Sequence, residues 1–192
     1  MTTVRQRLNR ATVIDMAADL ADTYGIDAVS LQRIANDAGV KQPALYRHVT
    51  GIEELLKLLA LRAREFLAHS LHQAQSGHTR RDAVTAVAHA WRLFVQQHPG
   101  LYSATDRVPS TGDVEIEESL AKVVAELAHA LDGYHLTSTQ QAQCARSLRS
   151  ALHGFCVLEK DNGHPEPYAL NEGLANVVDL FCRGVEALEK SA

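Results

Sequence analysis

The chain has 192 residues, 46% of them hydrophobic, and a formal net charge of −4. That length and apolar content bury a substantial core without disulfide or metal staples, and the negative balance excludes a protein that coats nucleic acid indiscriminately. No apolar run approaches the roughly 20 residues of a membrane span, and the basic start MTTVRQRLNR leads into Asp15, Asp19 and Asp22 rather than a signal-peptide core, so the expectation is a cytoplasmic protein without membrane contact.

Apolar spacing is helical nearly everywhere and nothing alternates as a strand does, so the chain reads as all-α, with about nine helices. Leu8, Val13, Ile14, Ala17, Leu20 and Tyr24 recur at three- and four-residue intervals, and Gly25 supplies a C-cap. Ser30 caps a short second helix with Leu31, Ile34, Ala35 and Ala38 inward, stopped by Gly39. Pro43 suits the first turn of a short third helix, where its missing amide hydrogen costs nothing. Thr50 and Glu53 form a capping box for a long fourth helix with Leu55, Leu56, Leu59, Phe66 and Leu71 on its apolar side.

Thr79 and Asp82 give a second capping signature, and Val84, Val87, Trp91, Phe94 and Val95 trace a helix stopped by His98-Pro99-Gly100. A short turn at Leu101 to Thr105 and a loop at Asp106 to Asp113 precede another amphipathic helix, marked by Ile116, Leu120, Val123, Val124, Leu127 and Leu131 and ended by Gly133. Thr137 with Gln140 opens a helix over about 138–160, and a last one runs over about 168–189, with a Pro- and Gly-containing turn at 160–167 between them. The domain reading is a three-helix head at 1–49 and a helical bundle domain at 50–192.

Three short helices, the second and third joined by a tight Gly39-Val40 turn, are the geometry by which a helix-turn-helix places one helix in the major groove. The segment Lys41 to Val49 holds no acid to repel phosphate. Gln42 can pair with adenine in a bidentate way, Pro43 and Ala44 can touch a thymine methyl, and Lys41, Tyr46 and His48 suit phosphates. Charge is distributed in keeping: residues 1–50 hold six Lys/Arg against five Asp/Glu, the rest thirteen against eighteen, and Arg5, Arg7 and Arg10 meet no acid among the first ten residues.

Residues 29–56, VSLQRIANDAGVKQPALYRHVTGIEELL, resemble the DNA-binding signature of the tetracycline-repressor (TetR) family, above all in GVKQPALYRHV. The resemblance implies base-reading roles for Gln32, Gln42, Pro43 and Ala44, and mainly backbone contacts for Ser30, Lys41, Tyr46, Arg47 and His48. It departs at Ile52, where the family usually carries a phosphate-binding lysine, which implies weaker or less salt-dependent binding. LRSALHGFCVLE at 148–159 resembles one C-terminal domain type of the same family, in which the last two long helices pair with their symmetry mates. The implied dimer seam uses Ala145, Leu148, Leu152, Leu174, Val178 and Phe181, and the implied effector cavity Trp91, Phe94, Tyr102 and His153. The function so implied is a ligand-responsive regulator, a repressor, that binds a palindromic double-stranded operator as a homodimer and is released by a small-molecule effector.

Other chemistry has less support. The three cysteines form no CxxC pair and read as packing residues. Glu126 and His129 form one Glu-x-x-His pair, whereas a di-iron bundle needs two. His69 and His72 lie one turn apart, so a helical small-molecule- or metal-binding protein with a degenerate head is the alternative reading. There is no Gly-rich phosphate loop or nucleophile elbow, and neither catalysis nor a cofactor is expected.

Overall fold

A computed structural model describes residues 8–163 and 169–190. The basic residues Arg5 and Arg7 and positions 164–167 of the turn expected at 160–167 lie outside the described residues. Within them the fold is all-α with no strand: α1 (Arg10–Tyr24), α2 (Leu31–Asp37), α3 (Ile52–Gln75), α4 (Arg80–Gln97), α5 (Pro99–Ser103), α6 (Val114–His129), α7 (Ser138–Lys160) and α8 (Leu170–Lys190). Short 3-10 segments at Ile26–Ala28, Gln42–Arg47 and Ala104–Asp106 complete the order. Two compact units emerge, one from residues 8–63 with 98–116, the other from 64–97 with 117–163 and 169–190.

The first unit is built from local signals. Asn9 caps α1 by accepting the Thr12 amide at 2.9 Å, and Gly25 ends the helix at φ +84°, its amide donating to the Ala21 carbonyl at 2.8 Å. Val13, Ala17, Ala21, Ile34, Ala35 and Leu45 are fully or almost fully buried and make the small core on which the recognition elements rest. The same unit includes α5, which packs against α1. Asp22 of α1 accepts the Leu101 amide at 2.7 Å through one oxygen and faces His98 Nδ1 at 3.0 Å through the other, so a carboxylate from α1 serves the first turn of α5. Beside it Gly100 lets the two backbones meet.

In the second unit α4 packs against α7 and α8, which also pack against each other. Val84, Val87, Trp91 and Val95 fill the inner side of α4, and Thr137 with Gln140 forms the expected capping box of α7. A largely buried ion pair helps to tie this bundle together. Arg92 reaches Glu159 through Nε at 2.7 Å and through its terminal nitrogen at 2.6 Å, with both side chains only 11–12% exposed. Gln96 adds a contact to Glu159 at 3.1 Å, and Arg92 also donates to Asn171 at 2.6 Å, so α4, α7 and α8 share one polar clamp. The carboxylate raises the Arg92 pKa further above its ordinary value, mainly through the hydrogen bonds. Glu159→Ala is expected to cost about 2–3 kcal/mol in urea unfolding, because it strands a largely buried guanidinium. A loss within 0.5 kcal/mol, typical of surface sites, would show the clamp to be dispensable.

Local readings shift in several places, among them Tyr24, expected in the apolar repeat of α1 and 62% exposed. The fourth-helix cap uses Glu54, one residue later than the expected Glu53: its Oε2 accepts the Thr50 amide at 2.6 Å and the Thr50 hydroxyl at 2.8 Å, because α3 begins at Ile52 and the third helical residue faces back toward Thr50. Phe66, expected on the apolar side of that helix, is 42% exposed, and its neighbour Leu67 is buried instead. The three cysteines are buried and free, and desolvation pushes the Cys156 thiol up to about 12, so all three serve packing.

Candidate nucleic-acid interface

The turn that aims the reading helix is fixed by backbone geometry. Past the end of α2, Gly39 sits at φ +65°, its amide donates to the Asn36 carbonyl at 3.1 Å, and the Val40 amide reaches the Ala35 carbonyl at 2.9 Å. This paired 5→2 and 6→1 bonding is a Schellman stop, which requires a residue at ease with positive φ. Ser30 at the other end of α2 accepts the Arg33 amide at 3.2 Å. Its capping role therefore stands beside the phosphate role expected of it.

The third helix is a 3-10 segment over Gln42–Arg47, opened by the Ala44 amide on the Lys41 carbonyl at 2.9 Å and closed by the His48 amide on the Leu45 carbonyl at 2.8 Å. Six residues with Pro43 among the first leave too few donors to propagate an α-helical ladder. Leu45 at 0% and Val49 at 2% exposure plug it into the core beside α2, so the remaining side chains are turned outward. Lys41, Pro43, Tyr46 and Arg47 are exposed, while Gln42, Ala44 and His48 are half-buried.

The two candidate reading amides are held by exposed partners one turn away. Gln42 Nε2 donates to the Tyr46 hydroxyl at 3.3 Å, and Gln32 Nε2 donates to Asn36 Oδ1 at 2.9 Å. Bonds of this kind contribute little net stability because water replaces them readily, so base edges compete for these amides at low cost. Arg33 stacks over the Tyr24 ring at 4.0 Å, which braces α2 against the end of α1. The sequence reading did not single out this contact, whose partners lie on separate helices.

Comparison with known proteins places both parts of the chain. A model described as "Bacterial regulatory proteins, tetR family" matches residues 13–59, and one described as "Tetracyclin repressor-like, C-terminal domain" matches residues 84–181. The uncharacterized HTH-type transcriptional regulator Rv0681 of Mycobacterium tuberculosis is 33% identical over 154 residues, covering 80% of this chain and 71% of that protein. The chain belongs to the TetR family. It is thus a DNA-binding transcriptional regulator and not an enzyme.

The tetracycline repressor protein class A from transposon 1721 of Escherichia coli is 28% identical to this TetR-family chain, across 96% of it and 98% of the repressor. The crystal structure of a TetR variant from Acinetobacter baumannii AYE in complex with minocycline has the same fold, with a TM-score of 0.71 at 18% identity over 95% of this chain and 99% of that one.

The remaining site candidates fall as follows. Trp91 and Phe94 on α4 are buried in the second unit and His153 on α7 is half-buried there, whereas Tyr102, also buried, belongs to α5 in the first unit. The stripe expected to form the subunit seam lies largely inside the single chain. Ala145, Leu148, Leu152 and Leu174 are 0% exposed and Val178 is 5% exposed in the single chain, so these side chains already fill its own core, and of that set only Phe181 is left half-buried.

What α7 and α8 turn outward is a different set: Leu158 at 47%, Leu180 at 72% and Leu188 at 40% exposure, with Gly154 and Gly184 between them. A Cβ at either glycine would meet nothing within 4 Å. The sequence held a signal for this face, because glycine inside a helix costs about 1 kcal/mol relative to alanine and so needs a packing reason.

Among the described residues no group of three or more His, Cys, Asp or Glu could hold a metal ion. His72 Nδ1 faces Glu126 at 3.1 Å and its ring meets that of His129 edge-on at 6.3 Å. No described helix is long and apolar enough to cross a membrane.

Proposed function

We propose that this protein is a ligand-responsive repressor that binds a palindromic operator as a homodimer in the cytoplasm and releases it when a small-molecule effector occupies its helical domain. The observation that carries the reading is the recognition segment itself: a Schellman stop at Gly39, a 3-10 helix plugged by Leu45, and an outward row of Lys41, Gln42, Pro43, Tyr46 and Arg47 that contains no acid. In this reading Gln32, Gln42, Pro43 and Ala44 meet base edges, and Ser30, Lys41, Tyr46, Arg47 and His48 meet the backbone.

Two-fold pairing through the outward faces of α7 and α8 sets two heads to read half-sites about one helical turn apart. The effector is assigned to the second unit, around Trp91, Phe94 and His153. It acts by binding more tightly to the head spacing that does not fit the operator. The names of the relatives support this reading, since one is a tetracycline repressor and a protein of the same fold holds minocycline.

The test is selection of random duplexes by the full chain at about 0.15 M salt, where nonspecific complexes lose most of their counterion-driven affinity. A recovered palindrome is the expected outcome; failure to enrich any sequence would remove the operator reading. On the recovered duplex, Gln42→Ala is expected to relax preference at one base pair by about 1–3 kcal/mol, while Lys41→Ala weakens all sequences alike. Equal losses on every sequence for Gln42→Ala would remove it from the reading set.

A further inference from the structure

Arg10 occupies a position that its own helix disfavours. It is the first residue of α1, where a cation faces the positive end of the helix dipole. Its side chain leaves that helix and crosses to the junction between the reading helix and α3, where Nη2 pairs with Glu54 Oε1 at 2.7 Å and Nη1 donates to the His48 carbonyl at 3.4 Å. A guanidinium has five N–H donors, so among the described residues these two contacts leave three, on a side chain that is 54% exposed.

Glu54 holds the guanidinium in place. Its carboxyl is kept below the usual carboxylate range, first by the Thr50 amide and hydroxyl and then by Arg10, and therefore stays ionised. The start of α3 carries no cation of its own, only Ile52, Glu53 and Glu54, although it follows directly from the reading helix. On the proposed reading, a DNA strand engaged by exposed Tyr46 and Arg47 would run beside this junction, and without a cation there it would meet the two carboxylates.

We infer that Arg10 is a phosphate-contacting residue of the operator interface, held by Glu54 and the His48 carbonyl so that its free N–H groups supply the positive charge that the start of α3 lacks. The inference rests on the reading of the head as a DNA reader. A guanidinium suits the role because it bridges a carboxylate and a phosphate with different edges of one plane.

The test uses the full chain and the duplex recovered by selection, with binding followed by fluorescence anisotropy across a KCl series and thermal unfolding followed on each variant. For Arg10→Ala the plot of log K against log[KCl] is expected to become shallower by about 1.8, two phosphate contacts per dimer at about 0.9 each. Arg10→Lys keeps the wild-type slope, and Ile52→Lys added to Arg10→Ala restores it.

A merely structural Arg10 gives a different pattern: weaker binding with an unchanged slope, a lowered melting temperature, and no recovery with Ile52→Lys. That pattern would overturn the inference and leave the DNA reading intact. Absence of wild-type binding to any duplex, even at low salt, would remove both.

Discussion

Gly100→Ala is expected to destabilise the protein by about 3 kcal/mol or more, well beyond what loss of a surface contact produces. A Cβ at Gly100 would lie 1.8 Å from the Ala21 carbonyl oxygen, 2.0 Å from its carbon and 2.6 Å from the Asp22 nitrogen. All three are backbone atoms of α1, so no rotamer change makes room and one of the two helices has to move. Moving α5 also stretches the Leu101 amide away from Asp22, at 2.7 Å now, and opens the 3.0 Å contact of Asp22 with His98.

For a domain of this size, about 3 kcal/mol corresponds to roughly 6–12 °C in Tm, which differential scanning calorimetry resolves. Asp22→Ala removes the carboxylate without the clash and should cost about 1–2 kcal/mol. A Gly100→Ala protein with wild-type Tm would mean that the two backbones do not meet in solution as they do here.

The head was legible because its instructions are local. Gly25, Ser30, Gly39 and Pro43 each act on residues within a few positions, and each does in the structure what its residue type dictates: positive φ at the two glycines, an amide accepted by Ser30, and Pro43 in the first turn. The capping box at Thr50 was off by one residue for a related reason: with Glu53 and Glu54 adjacent, composition alone does not choose which carboxylate turns back. The docking of α5 on α1 was not legible, because Asp22 and Leu101 are 79 residues apart and neither is an unusual residue in its own segment.

The sequence does not single out the subunit seam, for a different physical reason. Both sides of α7 and α8 carry apolar or small residues, and periodicity identifies a stripe without saying which partner covers it. The largest continuous stripe, running through Leu148, Leu152 and Leu174, goes to the chain's own core, where burial stabilises every molecule regardless of concentration.

The outward face that remains makes the last large effect. Leu180 is 72% exposed in the single chain, so Leu180→Glu removes little from the fold itself and should leave unfolding free energy per chain within about 0.5 kcal/mol. In a homodimer paired through α7 and α8, the same substitution puts a charge from each subunit into an apolar seam, and the open backbones at Gly154 and Gly184 that let helices approach closely no longer meet.

Under the proposed pairing, sedimentation should then show monomer in place of the wild-type dimer. Operator binding should fall by about 100-fold or more, because the second half-site contact loses the effective concentration that the linked head supplied. Leu152→Glu is the contrasting case: at 0% exposure it belongs to the core and should unfold the chain outright. A Leu180→Glu protein that stays dimeric and keeps its operator affinity would move the seam away from these two helices, and with it the spacing of the heads.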